Sequence, residues 1–115
     1  MERILSSIKK PLGIAEEQTD FDADVIMHIN TVFAILNELG VGPDEGFVIE
    51  DGSETWDQYI EDKRKFGKIK TYMYLKVRLY FDPPQNASLK EAMEKQAAEL
   101  EWRLNVTAEN NRNNE

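Results

Sequence analysis

DADVIMHINTVFAILNEL, at residues 22–39, is the stretch that decides the fold. Its apolar residues recur at steps of four, three, four and three, which places them on one face of an α-helix. They are Val25, Ile29, Val32, Leu36 and Leu39, with Ile26 and Phe33 beside them. Asp20, Asp22 and Asp24 favour a helix start by capping amides and suiting the helix dipole, and Gly40 favours a helix end. The segment therefore predicts an amphipathic helix that packs against a core.

Residues 65–81 predict a second long helix with a wider apolar face. One stripe consists of Ile69, Met73, Val77 and Tyr80, and an adjacent stripe consists of Tyr72, Leu75 and Leu79. Asp82, Pro83 and Pro84 follow, and proline both disfavours helical angles in the residue before it and cannot continue a helix. Because its apolar face is so wide, we expect this helix to be the central one.

Three other helices are predicted from apolar spacing and capping patterns. Residues 3–9 have helical spacing, and Pro11 and Gly13 should end that helix quickly. A capping box at residues 55–58 opens a short helix that ends near residue 62, and another at residues 88–91 opens the last helix, over 89–104. The predicted inner face of that last helix consists of Leu89, Met93, Gln96, Ala97, Leu100 and Leu104.

The predicted fold is therefore all-α, a small bundle of about four to five helices. Between the second and third helices, two turn-forming segments flank residues 47–49, which predicts an ordered loop or a short β segment there. Residues 1–106 are expected to form a single helical domain. Residues 107–115 are polar and lack periodicity, so we predict a flexible C-terminal tail.

Composition narrows the class of protein. The 115 residues contain 41% hydrophobic and 31% charged residues, which is ordinary for a globular domain. There are no cysteines, which excludes disulfides and thiolate metal sites and suits an intracellular protein. No apolar run is long enough to span a membrane. The net charge of −8 disfavours general nucleic-acid binding.

The charges are segregated along the chain. Seven of the fourteen basic residues lie at positions 63–78, and eight acidic residues lie at positions 44–62. Within the basic helix, Lys65, Lys68 and Lys76 share one side. This basic side fits three roles: a solvated helix face, a contact with acidic segments of a neighbouring subunit, or a contact with passing DNA.

No arrangement of residues in the sequence predicts catalysis or cofactor binding. The acidic residues from Asp20 onward begin like a calcium loop, but its sixth and twelfth positions hold Val25 and Thr31 rather than glycine and glutamate. His28 is the only histidine, and it cannot build a metal site alone. There is no glycine-rich phosphate loop. We therefore expect no enzyme activity, cofactor, metal or small-molecule substrate.

The two tryptophans each have two interpretations. Trp56 heads the short third helix and is either a core residue or an anchor at an interface. Trp102 lies between the inner positions Leu100 and Leu104, so it projects away from the main apolar stripe. Partner contact and core packing are equally good interpretations of Trp102.

Two blocks of sequence resemble phage head–tail connector proteins, also called adaptor or head-completion proteins. The first block resembles the first half of those proteins. It consists of ILSSIKK at 4–10, the predicted helix at 21–39 with GVGP at 40–43, and FVIED at 47–51. The second block resembles the second half of those proteins. It consists of KTYMYLKVRLYFDPP at 70–84 and EWRLN at 101–105. The likeness covers roughly residues 3–106. Pro11 departs from it, because such proteins would continue a helix there.

The resemblance implies a bacteriophage structural protein of the head–tail junction of the virion, present in the host cytoplasm during assembly. It implies a homo-oligomeric ring of about twelve copies under the portal protein. That ring would extend the DNA channel without sequence-specific DNA binding and would dock the next connector or tail protein. The implied portal contacts are Trp102, Arg103, Leu104 and Asn105, with the tail after them. The implied loop contacts with neighbours or the next ring are Gly46, Phe47, Val48 and Ile49.

Two functions other than that of a connector also fit the sequence. One is a small intracellular helical module that regulates another protein by binding it. The other is a helix-turn-helix DNA-binding protein, which needs a tight turn between two helices and a basic recognition helix. The prolines after the basic helix and the net charge disfavour the second.

Overall fold

The computed structural model describes residues 2–113, which form five helices and confirm the all-α prediction. They are α1 (Ile4–Leu12), α2 (Asp22–Glu38), α3 (Trp56–Tyr59), α4 (Lys63–Phe81) and α5 (Ala87–Asn113). Of the two alternatives for the segment between α2 and α3, the structure has the loop. The described residues contain no β-strand beyond an isolated bridge between Arg3 and Thr55.

Helix α4 is the centre of the bundle, as its wide apolar face predicted. It packs against α1, α2 and α5, and α1 also packs against α2. Its buried residues are Ile69, Tyr72, Met73, Leu75 and Val77. Tyr80, which the sequence placed on the same stripe, is instead exposed. Helix α2 runs antiparallel to α4, since Phe21 before α2 packs edge-on against Phe81 at the end of α4.

Helix α2 buries the face that its periodicity predicted. The fully buried residues are Val25, Ile29, Val32, Phe33 and Leu36. Gly40 ends the helix with φ +84°, and its amide and that of Val41 donate to Asn37 and Leu36. The prediction that aspartates cap the other end is wrong: no side chain caps that end. Asp22 instead forms an ion pair with Lys9.

Helix α1 is longer than predicted, because Pro11 lies inside its last turn. The fixed φ of proline is helical, so the ring fits there at the loss of one amide donor. Gly13 then adopts a left-handed conformation, and the amides of Gly13 and Ile14 donate to Lys10 and Lys9. These two bonds satisfy carbonyls that the helix end leaves without partners.

Helix α3 is a single turn that ends at Tyr59 rather than near residue 62. Its predicted capping box is confirmed, with Thr55 and Gln58 as the two partners. Trp56 is only 1% exposed, so its interpretation as a core residue is correct. Its Nε1 donates to Ser7 Oγ over 2.8 Å, and Ser7 Oγ donates to a carbonyl of α1.

Helix α5 begins earlier and ends later than predicted. Asn86 Oδ1 accepts from the amide of Leu89, so Asn86 rather than Ser88 is the capping residue. Met93, Ala97 and Leu104 are buried as expected, whereas Leu89 and Gln96 are exposed. The helix continues through Asn113 instead of ending near Leu104, and Asn114 and Glu115 lie outside the described residues. The flexibility of residues 107–115 stays a prediction.

Gly42 sits under the ring of Tyr59 in a conformation that favours glycine. Its φ is +90°, and a Cβ atom there would lie 2.7 Å from Cε1 of the buried Tyr59. Gly13 provides a matched control, because its φ is +81° but nothing lies within 4 Å of an added Cβ. Comparing alanine substitutions at Gly42 and Gly13 therefore separates the free-energy cost of the backbone conformation from that of the contact with Tyr59.

We expect Gly42→Ala to destabilise the protein more than Gly13→Ala. The left-handed conformation alone costs roughly 1–2 kcal/mol for a residue with a Cβ, and Gly42→Ala adds the displacement of Tyr59. Urea unfolding of both variants, followed by circular dichroism, measures the difference. Equal losses would show that Tyr59 moves aside without cost.

Candidate functional site

Three elements meet around a groove on the described part of the chain. It has a volume of about 660 Å³ and lies between the end of α2 with its following turn, the start of α4, and the second half of α5. We call it the basic groove. Its lining residues are Asn37, Gly40, Val41, Gly42, Asp44, Ile60, Arg64, Lys65, Lys68, Leu104, Thr107 and Ala108. This volume is within the range of roughly 300–1,000 Å³ that is typical of ligand pockets in proteins.

The charge of the basic groove comes from the first turns of α4. Arg64, Lys65 and Lys68 line it, against a single acidic residue, Asp44. Asp62 caps α4 by accepting from the Arg64 amide over 2.9 Å and from its guanidinium. Those hydrogen bonds hold the pKa of Asp62 below its usual value. Among the described residues no ion pair involves Lys65 or Lys68, so these two lysines are available to meet negative charge.

The three predicted lysines of the basic helix lie along the edge of α4 that faces α5, but in two places. Lys65 and Lys68 line the basic groove. Lys76 lies in a second, smaller pocket near the start of α5, where its Nζ is 5.2 Å from the centroid of the Tyr80 ring. The basic groove therefore contains two of the three.

The four predicted portal residues fall on two sides of α5. Trp102 is 67% exposed, and Arg103 is exposed and bonded to Glu99 over 2.7 Å on the same helix. Leu104 is buried at the basic groove, and Asn105 Nδ2 donates to the carbonyl of Leu39 over 3.4 Å. The structure thus presents two of these residues outward and uses the other two to seat the helix.

The four predicted loop residues also divide between inside and outside. Phe47 packs edge-on against Phe33 and Tyr59, and Ile49 is buried. Val48 between them is 63% exposed. Gly46 has φ +85°, which turns the chain toward this position. Val48 is thus the loop candidate whose side chain is most available to a partner.

Asn30 fixes the loop in this position, and the sequence analysis did not single it out. Its Nδ2 donates to the Ile49 carbonyl over 2.9 Å, and its Oδ1 accepts from the Ile49 amide over 2.8 Å. One side chain therefore replaces the strand partner that residues 47–49 lack. The sequence did contain a signal for this role. Asn30 lies within a predicted helix, three residues before Phe33, and asparagine is unfavourable inside a helix unless its side chain forms hydrogen bonds.

We expect Asn30→Ala to release the loop while leaving the helices intact. Loss of two hydrogen bonds, with the half-buried backbone of Ile49 left unpaired, costs about 1–3 kcal/mol. The Ile49 amide should lose its protection from hydrogen exchange. Thr31→Ala is the control, since Thr31 bonds only within its own helix. Unchanged exchange at Ile49 in Asn30→Ala would contradict this role.

Lys9 was also missed, and it organises the acidic segment between α1 and α2. It is almost fully buried, and its Nζ donates to the carbonyls of Glu16 and Gln18 over 3.1 and 2.8 Å. It also lies 2.8 Å from Asp22 Oδ1. The sequence did contain a signal for the burial of Lys9. Lys9 follows Leu5 by four residues, so the two lie on the same face of α1, the face that packs against the core.

Three further observations concern the pKa of a buried tyrosine, metal binding and membrane spanning. Burial, and secondarily a hydrogen bond from its hydroxyl to Glu101 over 2.7 Å, raise the pKa of Tyr72. Across residues 2–113 no group of three or more His, Cys, Asp or Glu side chains is arranged to hold a metal ion. Over the same range, no helix is both long and apolar enough to cross a membrane.

The chain matches the model of a known protein family. The family model described as "Phage connector protein" matches residues 4–111, which is nearly the whole chain. Searches of the curated proteins and of the solved structures gave no significant match. The family is the one that the sequence resembles, and its role is that of a phage structural connector. With a match over that length, the chain belongs to the phage connector protein family.

Proposed function

We propose that this protein forms a ring of about twelve copies beneath the portal at the head–tail junction. The ring extends the DNA channel and docks the next connector or tail protein. The observation that carries the proposal is the family match over residues 4–111. The work of the protein is then assembly, without catalysis or a small-molecule substrate.

The exposed surfaces support this role. A closed ring built from head-to-tail contacts needs two different complementary surfaces on each subunit, and additional surfaces to meet partners above and below. The basic groove, the exposed Val48 of the loop, and Trp102 with Arg103 on α5 are separate candidates for these contacts. We assign Trp102 and Arg103 to the portal and Val48 to a neighbour or the next ring.

The alternative DNA-binding function loses support from the geometry. The helix that precedes basic helix α4 is α3, which has only four residues. A helix-turn-helix unit needs a longer first helix to cross the DNA backbone. Genome DNA passing through the ring would meet lysines without sequence-specific contacts to bases.

The direct test mixes the purified protein with portal rings from the same genome and examines the product by electron microscopy. A new rotationally symmetric layer on one end of the portal, whose symmetry gives the copy number, is the expected result. Bare portals in the presence of tens of micromolar protein would contradict the proposal. The regulatory interaction module would then be the better hypothesis.

We expect Trp102→Ala to weaken portal binding at least about tenfold, because truncation of an interface tryptophan commonly costs 2 kcal/mol or more. Its side chain is too exposed for the change to alter folding stability. Titration of immobilised portal with each variant measures the affinity. Leu89→Ala is the matched control, an exposed apolar residue at the other end of α5. Equal affinities of Trp102→Ala and the wild type would remove Trp102 from the portal contact.

A further inference from the structure

The basic groove has positive charges without partners. Among the described residues, no ion pair involves Lys65 or Lys68, and Arg64 pairs only with Asp62, its neighbour at the start of α4. Apolar side chains of Val41, Ile60 and Leu104 line the same groove. A surface that combines free cations with apolar walls is suited to an acidic protein segment.

The opposite end of the molecule carries free negative charge. Residues 16–20, which we call the acidic turn, precede α2, whose start lies beside Phe81 at the end of α4. Glu17 and Asp20 are exposed, and no ion pair among the described residues involves either. Along α4, Lys65 and Lys68 lie sixteen and thirteen residue steps before Phe81, which correspond to roughly 24 and 20 Å. These lysines are therefore too far from the acidic turn of their own subunit to pair with it.

Lys9 gives the acidic turn a fixed shape. Its buried Nζ holds the carbonyls of Glu16 and Gln18, and Ser6 Oγ donates to the Glu16 carboxylate over 3.0 Å. The backbone of the turn is therefore tied to α1, while the carboxylates of Glu17 and Asp20 point to solvent. A surface that is ordered before binding loses less entropy when it binds.

We propose that the basic groove binds the acidic turn of a second copy of this chain. The carboxylates of Glu17 and Asp20 of one copy then meet Lys65 and Lys68 of the next. This inference rests on the proposed ring and supplies its subunit contact. Because the two surfaces differ and lie at opposite ends, the contact is head-to-tail, the type that closes a ring by rotation.

The other acidic segment of the chain is a poorer occupant. Asp44, at its beginning, lines the groove of its own subunit. Asp51 accepts from the amide and hydroxyl of Ser53, and Glu54 accepts from the Glu50 amide. These carboxylates already have partners. DNA is disfavoured as an occupant by Asp44 in the groove and by the net charge of −8.

Charge exchange between the two surfaces tests the contact. One variant combines Lys65→Glu with Lys68→Glu, and the other combines Glu17→Lys with Asp20→Lys. Each alone places like charges in the contact, so each should form at least about tenfold fewer layers on portal rings than the wild type. In a mixture, each contact between one variant and the other pairs opposite charges, so a ring in which the two variants alternate should form layers as the wild type does. Lys90→Glu with Lys95→Glu, on the exposed side of α5, is the control and should assemble normally.

Cross-linking gives an independent readout, and the absence of native cysteines makes it specific. Lys68→Cys and Asp20→Cys are mixed on the portal and oxidised, and a disulfide-linked pair is expected. Lys95→Cys with Asp20→Cys should give none. Circular dichroism of every variant excludes unfolding as the cause of any loss.

The outcomes distinguish this contact from the ring itself. If the wild type forms layers but both charge variants also do, or if the mixture fails although both are folded, the contact is wrong and the ring stands. If only the groove variant fails, the groove binds something other than the acidic turn, such as the portal, and the inference is overturned. If the wild type leaves portals bare, the proposed function falls and the contact falls with it.

Discussion

Trp56→Ala is expected to lower the free energy of unfolding by about 3–5 kcal/mol, the usual cost of removing a large buried aromatic side chain. The indole is 1% exposed and packs against Phe33, Tyr59 and Phe66. Its Nε1 also donates to the buried Ser7 hydroxyl, which would lose that donor. Domains have only roughly 5–15 kcal/mol of stability, so the variant should be largely unfolded under mild denaturing conditions.

The second tryptophan provides the control for this experiment. Trp102→Ala makes the same chemical change at an exposed position, where substitutions usually alter stability by about 0.5 kcal/mol or less. Urea titrations of both variants, followed by far-ultraviolet circular dichroism, give the two free energies. Similar losses at both positions would contradict the assignment of Trp56 to the core and Trp102 to the surface.

Lys9→Met should have the second largest effect, a loss of about 3 kcal/mol. Methionine keeps the length of the side chain but leaves the Asp22 carboxylate and two carbonyls without the ammonium group. Removing one partner of a buried ion pair costs about 3–5 kcal/mol, and the partial exposure of Asp22 places this case at the lower end. The acidic turn should also lose its fixed position.

Lys70→Met is the matched control for this substitution. Lys70 pairs with Glu2 over 2.8 Å, but the two side chains are 34% and 46% exposed, and ion pairs open to solvent contribute about 0–1 kcal/mol. Thermal unfolding of the two variants at the same pH compares them directly. If Lys70→Met costs as much as Lys9→Met, burial of the Lys9 pair does not strengthen it.

The long helices could be predicted from the sequence because their apolar periodicity extends over many residues. Five positions of α2 that its spacing places inside, including Phe33, are buried, and α4 is the central helix as its wide face indicated. Helix ends were predicted less well, because they depend on single side chains. Asn86, not Ser88, caps α5, and Pro11 fits within the last turn of α1.

The candidate surfaces, too, could be predicted from the sequence only in part. The sequence indicated a basic helix and an acidic segment, but it could not show that Lys65, Lys68 and Leu104 line one groove. That arrangement depends on the packing of α5 against α4 and on the turn after α2, contacts between residues far apart in the chain. Lys9 and Asn30 were missed for the same reason, since their partners lie seven or more residues away.

Helix α5 is attached to the rest of the molecule mainly through one other helix. It packs mainly on α4, and only Met93, Ala97 and Leu104 are buried among its described side chains, whereas α1, α2 and α4 all contact one another. A segment held in this way opens as a local cooperative unit at a lower free energy than global unfolding. We therefore expect the amides of α5 to exchange with solvent before those of α2. A partner that covered Trp102, as proposed, would suppress this local opening, and assembly would then raise the stability of α5 selectively.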